Sequence, residues 1–152
     1  MTDSHFSALS EDSVLALEGG GIAEFLQGQL TCDTRVAGPG TSVPGALCNA
    51  QGRVVADLRL LLPAPDHGLL RVGSALAEHT ATVLGRYAMF SRIAVQPARD
   101  HWQPCALWGD AAEAALRDAA GTAPAGENAC AAGDGWLAVC CDEAGTAFEL
   151  FL

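Results

Sequence analysis

The sequence RVVADLRLLL, residues 53–62, is the clearest strand in this chain of 152 residues. Its even-numbered residues are all apolar, and the period of two in a strand places them on one face. The odd-numbered residues place Arg53, Asp57 and Arg59 on the other face, beside Val55 and Leu61. The pattern predicts a strand with one apolar, buried face and one face that carries charge.

Apolar runs and turn residues on either side of this strand predict its neighbours. Further strands are expected over residues 13–17, 43–48, 69–72 and 91–95, and helices over 22–30 and from Ser74 onward. Residues at helical spacing are expected to form the packed side of the second helix: Leu76, Thr80, Val83 and Tyr87. This order predicts the α+β class, with antiparallel sheets, helices packed on one face and a ferredoxin-like element in residues 42–97.

The last third of the chain predicts a second unit, so we expect an N-terminal unit over residues 1–100 and a second α+β unit over 101–152. Asp110 and Glu113 form a capping-box pattern before a helix that ends at Ala120. A hairpin is expected from residues 136–141 and 147–152. The chain ends on the apolar strand FELFL, which would leave an uncovered edge. We therefore expect the second unit to be incomplete and the polypeptide to be truncated.

The charge composition argues against two classes of partner. The chain has eight Arg, no Lys and 18 acidic residues, for a formal net charge of -10. Binding to nucleic acid or to an anionic membrane surface draws its affinity from clusters of Lys and Arg, which this sequence lacks. We expect neither direct nucleic-acid binding nor membrane association.

The N-terminal residues lack the basic and apolar segments of a signal peptide, so a cytoplasmic location is expected. The six Cys form no C-x-x-C pair. Reduced thiols are therefore expected, and no metal site.

Three motifs, in order, carry a resemblance to a known family. They are FLQGQLTCD at residues 25–33, LCNAQGRVVADLR at residues 47–59 and YAMFSRI at residues 87–93. In order and spacing they resemble YgfZ-type folate-binding proteins, which are related to the glycine-cleavage T-protein, an aminomethyltransferase. The resemblance implies the folate-binding domain fold of the T-protein.

The resemblance also implies a function and a cofactor. Members bind tetrahydrofolate or a derivative and support the maturation or repair of iron–sulfur enzymes, including enzymes that thiolate tRNA. The family is about twice as long and carries a K-G-C-x-x-G-Q-E motif in its second half. Because this sequence has no Lys, that motif is absent. The resemblance thus covers the N-terminal portion of the family, and we expect the C-terminal half to be missing.

The charged face of residues 53–62 supplies the candidate folate-binding residues. A carboxylate such as Asp57 can accept hydrogen bonds from the pterin ring N–H and amino groups, and Arg53 or Arg59 can grip an anion. Gln27, Gln29 and Asn49 are the polar residues of the matching motifs. Gln27 and Gln29 are about 200° apart on a helix, so one of them is expected to face the site and the other to bind backbone. The alternatives stay open: the charged face is also typical of a solvated strand with ion pairs, and Asn49 of a turn.

No residue is assigned a catalytic role, Asp57 being the only candidate. An aminomethyltransferase acting with tetrahydrofolate is one alternative function, although a single acid at this strand position argues against it. A truncated fragment without ligand is the other. It predicts exposed apolar surface near residues 150–152.

Overall fold

The computed structural model describes residues 3–152, which form two five-stranded antiparallel sheets and three α-helices. The strands are β1 His5–Ala8, β2 Asp12–Glu18, β3 Val43–Cys48, β4 Val54–Ala64, β5 His67–Gly73, β6 Ala94–Pro97, β7 Pro104–Trp108, β8 Cys130–Gly133, β9 Trp136–Cys140 and β10 Ala147–Phe151. The helices are α1 Ile22–Gln27, α2 Ser74–Ala88 and α3 Ala112–Ala120. The predicted α+β class is confirmed.

Sheet I has the strand order β3-β4-β5-β2-β6. Strands β6-β2-β5-β4, connected through α1 and α2, have the arrangement of a ferredoxin-like element, to which β3 adds an edge strand. The element therefore extends beyond the predicted residues 42–97. Strand β2 is needed because it lies between β5 and β6 and pairs with both.

The main core lies between one face of sheet I and its two helices. It contains Leu15, Leu17 and Leu70 from the sheet and Ile22 and Leu26 from α1. The buried side of α2 is formed by Ala77, Thr80, Leu84 and Ala88. The predicted packed side is correct at Thr80, which is buried, and at Val83, which packs partly buried against the core. It is wrong at Leu76 and Tyr87, which are 37% and 54% exposed. Small residues such as Ala77 and Ala88 allow α2 to lie close to the sheet. The helix therefore turns these residues towards the core, and not the side with the large residues Leu76 and Tyr87.

Sheet II has the strand order β1-β7-β10-β9-β8, with β10 at its centre. The predicted hairpin of β9 and β10 is confirmed, and β10 also pairs with β7. The expectation of an uncovered apolar edge at the last strand is wrong. Leu150 and Phe151 are buried because both neighbouring strands and the core cover them, while Leu152 is half exposed.

The second unit differs from prediction in three local features. Asp110 does not cap α3, whose N-cap residue is Ala111 without a side-chain hydrogen bond, and Glu113 pairs with Arg117 instead. Strand β8 lies between the predicted helix and the predicted hairpin, where no strand was expected. Strand β1 belongs to sheet II although it comes from the N-terminus. The division of the chain into units at residue 100 stays a prediction.

The second face of sheet I packs against sheet II. Val14, Leu61 and Leu69 of sheet I meet Val139 and Phe151 of sheet II in a shared apolar cluster. The face of β4 that carries Asp57 and Arg59 is therefore largely covered by another sheet. The interpretation of this face as an ordinary solvated strand surface is wrong for Arg59, which is 8% exposed.

A β-bulge changes the orientation of residues at the start of β4. Leu47 pairs with Ala56 but Cys48 pairs with Val54, so Val55 is the extra residue. As a result Val54 is 65% exposed, while Val55 packs against the main core. The simple alternation predicted the opposite. Because Arg53 precedes the bulge, it does not continue the face of Asp57 and Arg59.

Candidate functional site

Two carboxylates flank a gap at the end of sheet I. Asp12 pairs with Gly73, and the Leu58–Val72 pair places Asp57 beside Gly73 on the opposite strand. Asp12 precedes Val14 by two residues, and Asp57 precedes Arg59 by two residues. Val14 and Arg59 both face sheet II, so the two carboxylates lie on that same face. A Cβ built on Gly73 would meet no atom within 4 Å among residues 3–152. Strand β5 lies between β2 and β4. The backbones of Asp12 and Asp57 are therefore two strand spacings apart, roughly 9.4–9.8 Å, with open space between them.

The two carboxylates differ in their surroundings. Asp57 is exposed, and among the residues described it makes no ion pair within 4 Å. Asp12 is partly buried. Burial raises the pKa of the Asp12 carboxyl, Arg71 opposes the shift, and the carboxylates of Glu149 and Asp57 add to it. The gap therefore has an unpaired hydrogen-bond acceptor, Asp57, on one side. On its other side is the Asp12 carboxyl, which takes up a proton more readily than an ordinary aspartate.

Behind the gap, two arginines share one carboxylate between the sheets. Arg59 and Arg71 are directly opposite each other on β4 and β5. Arg71 donates to both oxygens of Glu149, from Nη2 over 2.9 Å and from Nε over 3.3 Å. Arg59 Nε lies 3.5 Å from Glu149 Oε2. The Glu149 carboxylate offsets the repulsion between the two guanidinium groups.

Arg59 is committed to contacts within the protein. Its Nη1 donates to Ser42 Oγ over 3.0 Å and to Asn128 Oδ1 over 2.8 Å. Its buried Nε has no hydrogen-bond partner in residues 3–152, although it lies within ion-pair distance of Glu149. Arg59 therefore joins sheet I to sheet II and to the loop before β8. The predicted Arg–Asp–Arg row of surface ion pairs is not formed, because Arg59 pairs with Glu149 and not with Asp57.

Gln29 and Asn49 lie on the other side of sheet I. Both line a cleft of about 470 Å³ together with His79, Arg86 and Tyr87 of α2. Asn49 Oδ1 accepts from the backbone N–H groups of residues 51 and 53, each over 3.0 Å, as the turn interpretation predicts.

The two glutamines of the first motif have different roles. Gln27 Oε1 accepts from Thr34 N over 2.8 Å, and the Thr34 hydroxyl lies 2.6 Å from Ala23 O and 2.9 Å from the same Gln27 oxygen. Gln27 thus holds the chain that follows α1, while Gln29 lines the cleft. One glutamine binds backbone and the other lines a cleft, as expected, although Gln29 lies beyond the last residue of α1.

The structure therefore divides the five predicted site residues. Asp57 and Arg59 share the face towards sheet II, Gln29 and Asn49 line the cleft on the other face, and Arg53 is exposed in the turn. Sequence reasoning missed Asp12, Arg71 and Glu149. An acid directly before a predicted strand was the available signal for Asp12, but its position opposite Gly73 depends on strand register.

Within residues 3–152, no group of three or more His, Cys, Asp or Glu side chains could hold a metal ion. No helix in this part of the chain has the length and apolarity needed to cross a membrane. Burial raises the pKa of the Cys130 and Cys141 thiols, which keeps them protonated.

The fold is that of the aminomethyltransferase T-protein. The glycine-cleavage aminomethyltransferase T of Bartonella henselae superimposes with a TM-score of 0.84 over 98% of this chain and 42% of that protein, at 24% identity. The predicted T-protein-like fold is confirmed.

Curated relatives carry the more specific resemblance. The chain is 27% identical to the tRNA-modifying protein YgfZ of Colwellia psychrerythraea over 100 residues, which cover 66% of this chain and 31% of that protein. It is 30% identical to the YgfZ of Vibrio atlanticus over 92 residues, or 60% of this chain and 28% of that protein. No family model matches. The predicted resemblance to YgfZ-type proteins is confirmed, and the chain spans about three tenths of the length of these relatives.

Proposed function

We propose that this chain binds a reduced folate, tetrahydrofolate or a derivative, at the gap between Asp57 and Asp12. The observation that carries the proposal is the open space over Gly73 with a carboxylate on each side. The T-protein-like fold and the YgfZ relatives support the same ligand class.

The chemistry of the gap suits a reduced pterin. The ring presents an N–H and an amino group side by side, and the unpaired Asp57 carboxylate can accept from both. The Asp12 carboxyl can accept a hydrogen bond when ionised and donate one when protonated. Arg59 and Arg71 are held by Glu149, so they contribute positive charge behind the gap without leaving the sheet interface.

The biological role that we infer is the YgfZ-type role. The relatives are named as tRNA-modifying proteins. The family resemblance relates that role to support of iron–sulfur enzymes that thiolate tRNA. With folate bound, the chain would act as an accessory protein, with iron–sulfur enzymes as its partners.

Calorimetric titration of the chain with tetrahydrofolate under anaerobic conditions tests the proposal. We expect saturable binding that Asp57→Asn weakens about 10- to 100-fold, because a hydrogen bond to a charged group contributes about 1.5–3 kcal/mol. Asp134→Asn, at an exposed residue of the β8–β9 turn, is the matched control and should bind like the wild type. Absence of binding by the cooperatively folded chain would contradict the proposal.

A second candidate function, aminomethyl transfer to tetrahydrofolate, gains support from one observation. The sequence offered a single acid on β4, but the structure adds Asp12 across the gap, and proton transfer commonly uses two acids with different environments. An assay for folate-dependent release of ammonia from an aminomethylated lipoyl group separates the two functions. Turnover that is lost in both Asp57→Asn and Asp12→Asn would favour the transferase.

A further inference from the structure

A cleft lies on the face of sheet I opposite the proposed folate gap. Its walls are the chain after α1, the turn between β3 and β4, and the outer side of α2, which contribute Gln29, Asn49, His79, Arg86 and Tyr87. Its volume of about 470 Å³ is within the range of about 300–1,000 Å³ that ligand pockets usually have. The proposed function uses none of these residues, so the cleft is free for a different partner.

Two chain segments that contribute to this cleft contain no acidic residue. Residues 34–56 and 79–98 hold four of the eight Arg and none of the 18 Asp and Glu. Their formal charge is therefore +4, and the rest of the chain, with four Arg and 18 acids, has -14. Arg86 is exposed and makes no ion pair within 4 Å in residues 3–152. The cleft is thus a local positive region on an acidic protein, and its charge complements an acidic partner.

Exposed apolar side chains continue this surface beyond the cleft. Tyr87, Met89 and Phe90, at the C-terminal end of α2, are 54%, 70% and 85% exposed. Single exposed apolar residues are ordinary, but three within four positions form a patch. The segment is fixed in place, because Ile93 is buried and its backbone N–H donates to Ala88 O over 3.1 Å. Aromatic residues, Met and Arg are enriched in protein–protein interfaces, and Asp and Glu are depleted, as on this surface.

We propose that the cleft and the adjoining residues 86–90 form a docking surface for an acidic segment of a partner protein. A carboxylate of that segment pairs with Arg86, and an apolar side chain beside it packs on Tyr87 and Phe90. The Gln29 amide, which lines the cleft, can both donate to and accept from the backbone of the segment. The inference does not rest on folate binding, because the proposed folate gap lies on the other face of the sheet.

A protein segment fits this surface better than a nucleic acid does. Nucleic-acid binding draws its affinity from several cations that contact successive phosphates, and this chain has a formal net charge of -10. An acidic peptide needs only one or two charge pairs, and its apolar side chains can cover Met89 and Phe90.

Fluorescence anisotropy with labelled eight-residue peptides tests the proposal. The probe alternates Glu with Leu, and two control peptides alternate Lys with Leu and Glu with Ser. Each is titrated with the wild type, Arg86→Gln and Phe90→Ser. Arg99→Gln and Phe6→Ser are the matched control variants, because Arg99 is an exposed arginine between the two sheets and Phe6 is an exposed phenylalanine of β1. Thermal unfolding of each variant checks that the fold is retained.

We expect the wild type to bind the Glu–Leu probe saturably. Arg86→Gln and Phe90→Ser should each weaken this binding about tenfold, and the two control variants should bind like the wild type. Both control peptides should bind the wild type at least about tenfold more weakly than the probe does. Calorimetric titration with tetrahydrofolate should give the same result for all five proteins, because none of the changes touches the gap.

The docking surface is wrong if the folded wild type does not bind the probe, or if Arg86→Gln and Phe90→Ser both bind it like the wild type. Equal binding of the Glu–Ser peptide would show that the apolar patch takes no part, which also overturns the proposal. Tighter binding of a labelled oligouridylate than of the probe, lost in Arg86→Gln, would assign the surface to RNA instead. If the wild type binds the probe but not tetrahydrofolate, the docking surface stands and the proposed function is wrong.

Discussion

Arg71 of β5 and Glu149 of β10 form a two-point contact that joins sheet I to sheet II, with N–O distances of 2.9 and 3.3 Å. Both side chains are 18% exposed. Arg59 lies against the same carboxylate, so Glu149 is the only acid that balances this arginine pair at ion-pair distance in residues 3–152. The contact between the sheets is thus electrostatic as well as apolar.

Replacing Glu149 should destabilise the protein strongly. Glu149→Gln retains the shape but leaves two arginines without their counter-charge, and such losses cost about 3–5 kcal/mol when the charges are buried. Urea denaturation followed by circular dichroism measures the change. Glu143→Gln, at an exposed residue of the preceding loop, should be neutral. Equal stability of the two variants would show that the arginines do not need Glu149.

Gln27 and Gln29 provide a second comparison, within one motif. Gln27→Ala removes the acceptor of the Thr34 backbone N–H, and an unsatisfied buried donor costs about 1–3 kcal/mol. Thr34 is fully buried, which makes water a poor replacement. Gln29→Ala should leave the free energy of unfolding nearly unchanged, because its side chain lines an open cleft. The same urea experiment decides this, and a larger loss for Gln29→Ala would refute it.

Asp142 should contribute pH-dependent stability to the β9–β10 connection. Hydrogen bonds from the Thr146 hydroxyl, and then from the Thr146 and Ala147 backbone N–H groups, lower the pKa of the Asp142 carboxyl below its ordinary value. A lowered pKa in the folded state gives stability that is present above the unfolded-state pKa of about 3.9 and is lost as the pH falls through the folded-state pKa. Asp142→Asn should therefore be less stable than the wild type at pH 7, with the difference shrinking below about pH 4. Thermal unfolding from pH 7 to pH 3 measures this.

The contribution of Asp12 to stability should depend on pH with the opposite sign to that of Asp142. Burial raises the pKa of its carboxyl, so ionisation costs stability and the folded protein gains stability from this group as the pH falls through the raised pKa. Asp12→Asn should raise the melting temperature at pH 7 and weaken tetrahydrofolate binding. Calorimetric unfolding and titration of the same sample test both effects. A variant that is less stable and binds normally would show that Asp12 serves the fold and not the ligand.

Strand β4 shows how far the sequence pattern reaches. The alternation of Ala56, Leu58, Leu60 and Leu62 correctly predicted a strand with these residues in the core. The prediction failed at Val54, because a bulge is a property of the pairing of β4 with β3 and leaves no mark in the alternation itself. The same bulge removed Arg53 from the predicted charged face.

The residues of the candidate site were also only partly predictable from the sequence. Asp57 and Arg59 could be singled out by sequence because they share one short strand. Asp12 and Glu149 could not, because each comes from a distant strand whose register depends on the whole sheet.

The sequence by itself determined the α+β class, the motif resemblance and most strands, since apolar periodicity and turn residues act over a few residues. Only the tertiary structure decided that the charged face of β4 packs under a second sheet, that β10 is a central strand, and that Asp12 stands across a gap from Asp57. These features depend on pairing and packing between distant segments, whose free energies are set by burial and by charge partners that no local pattern contains.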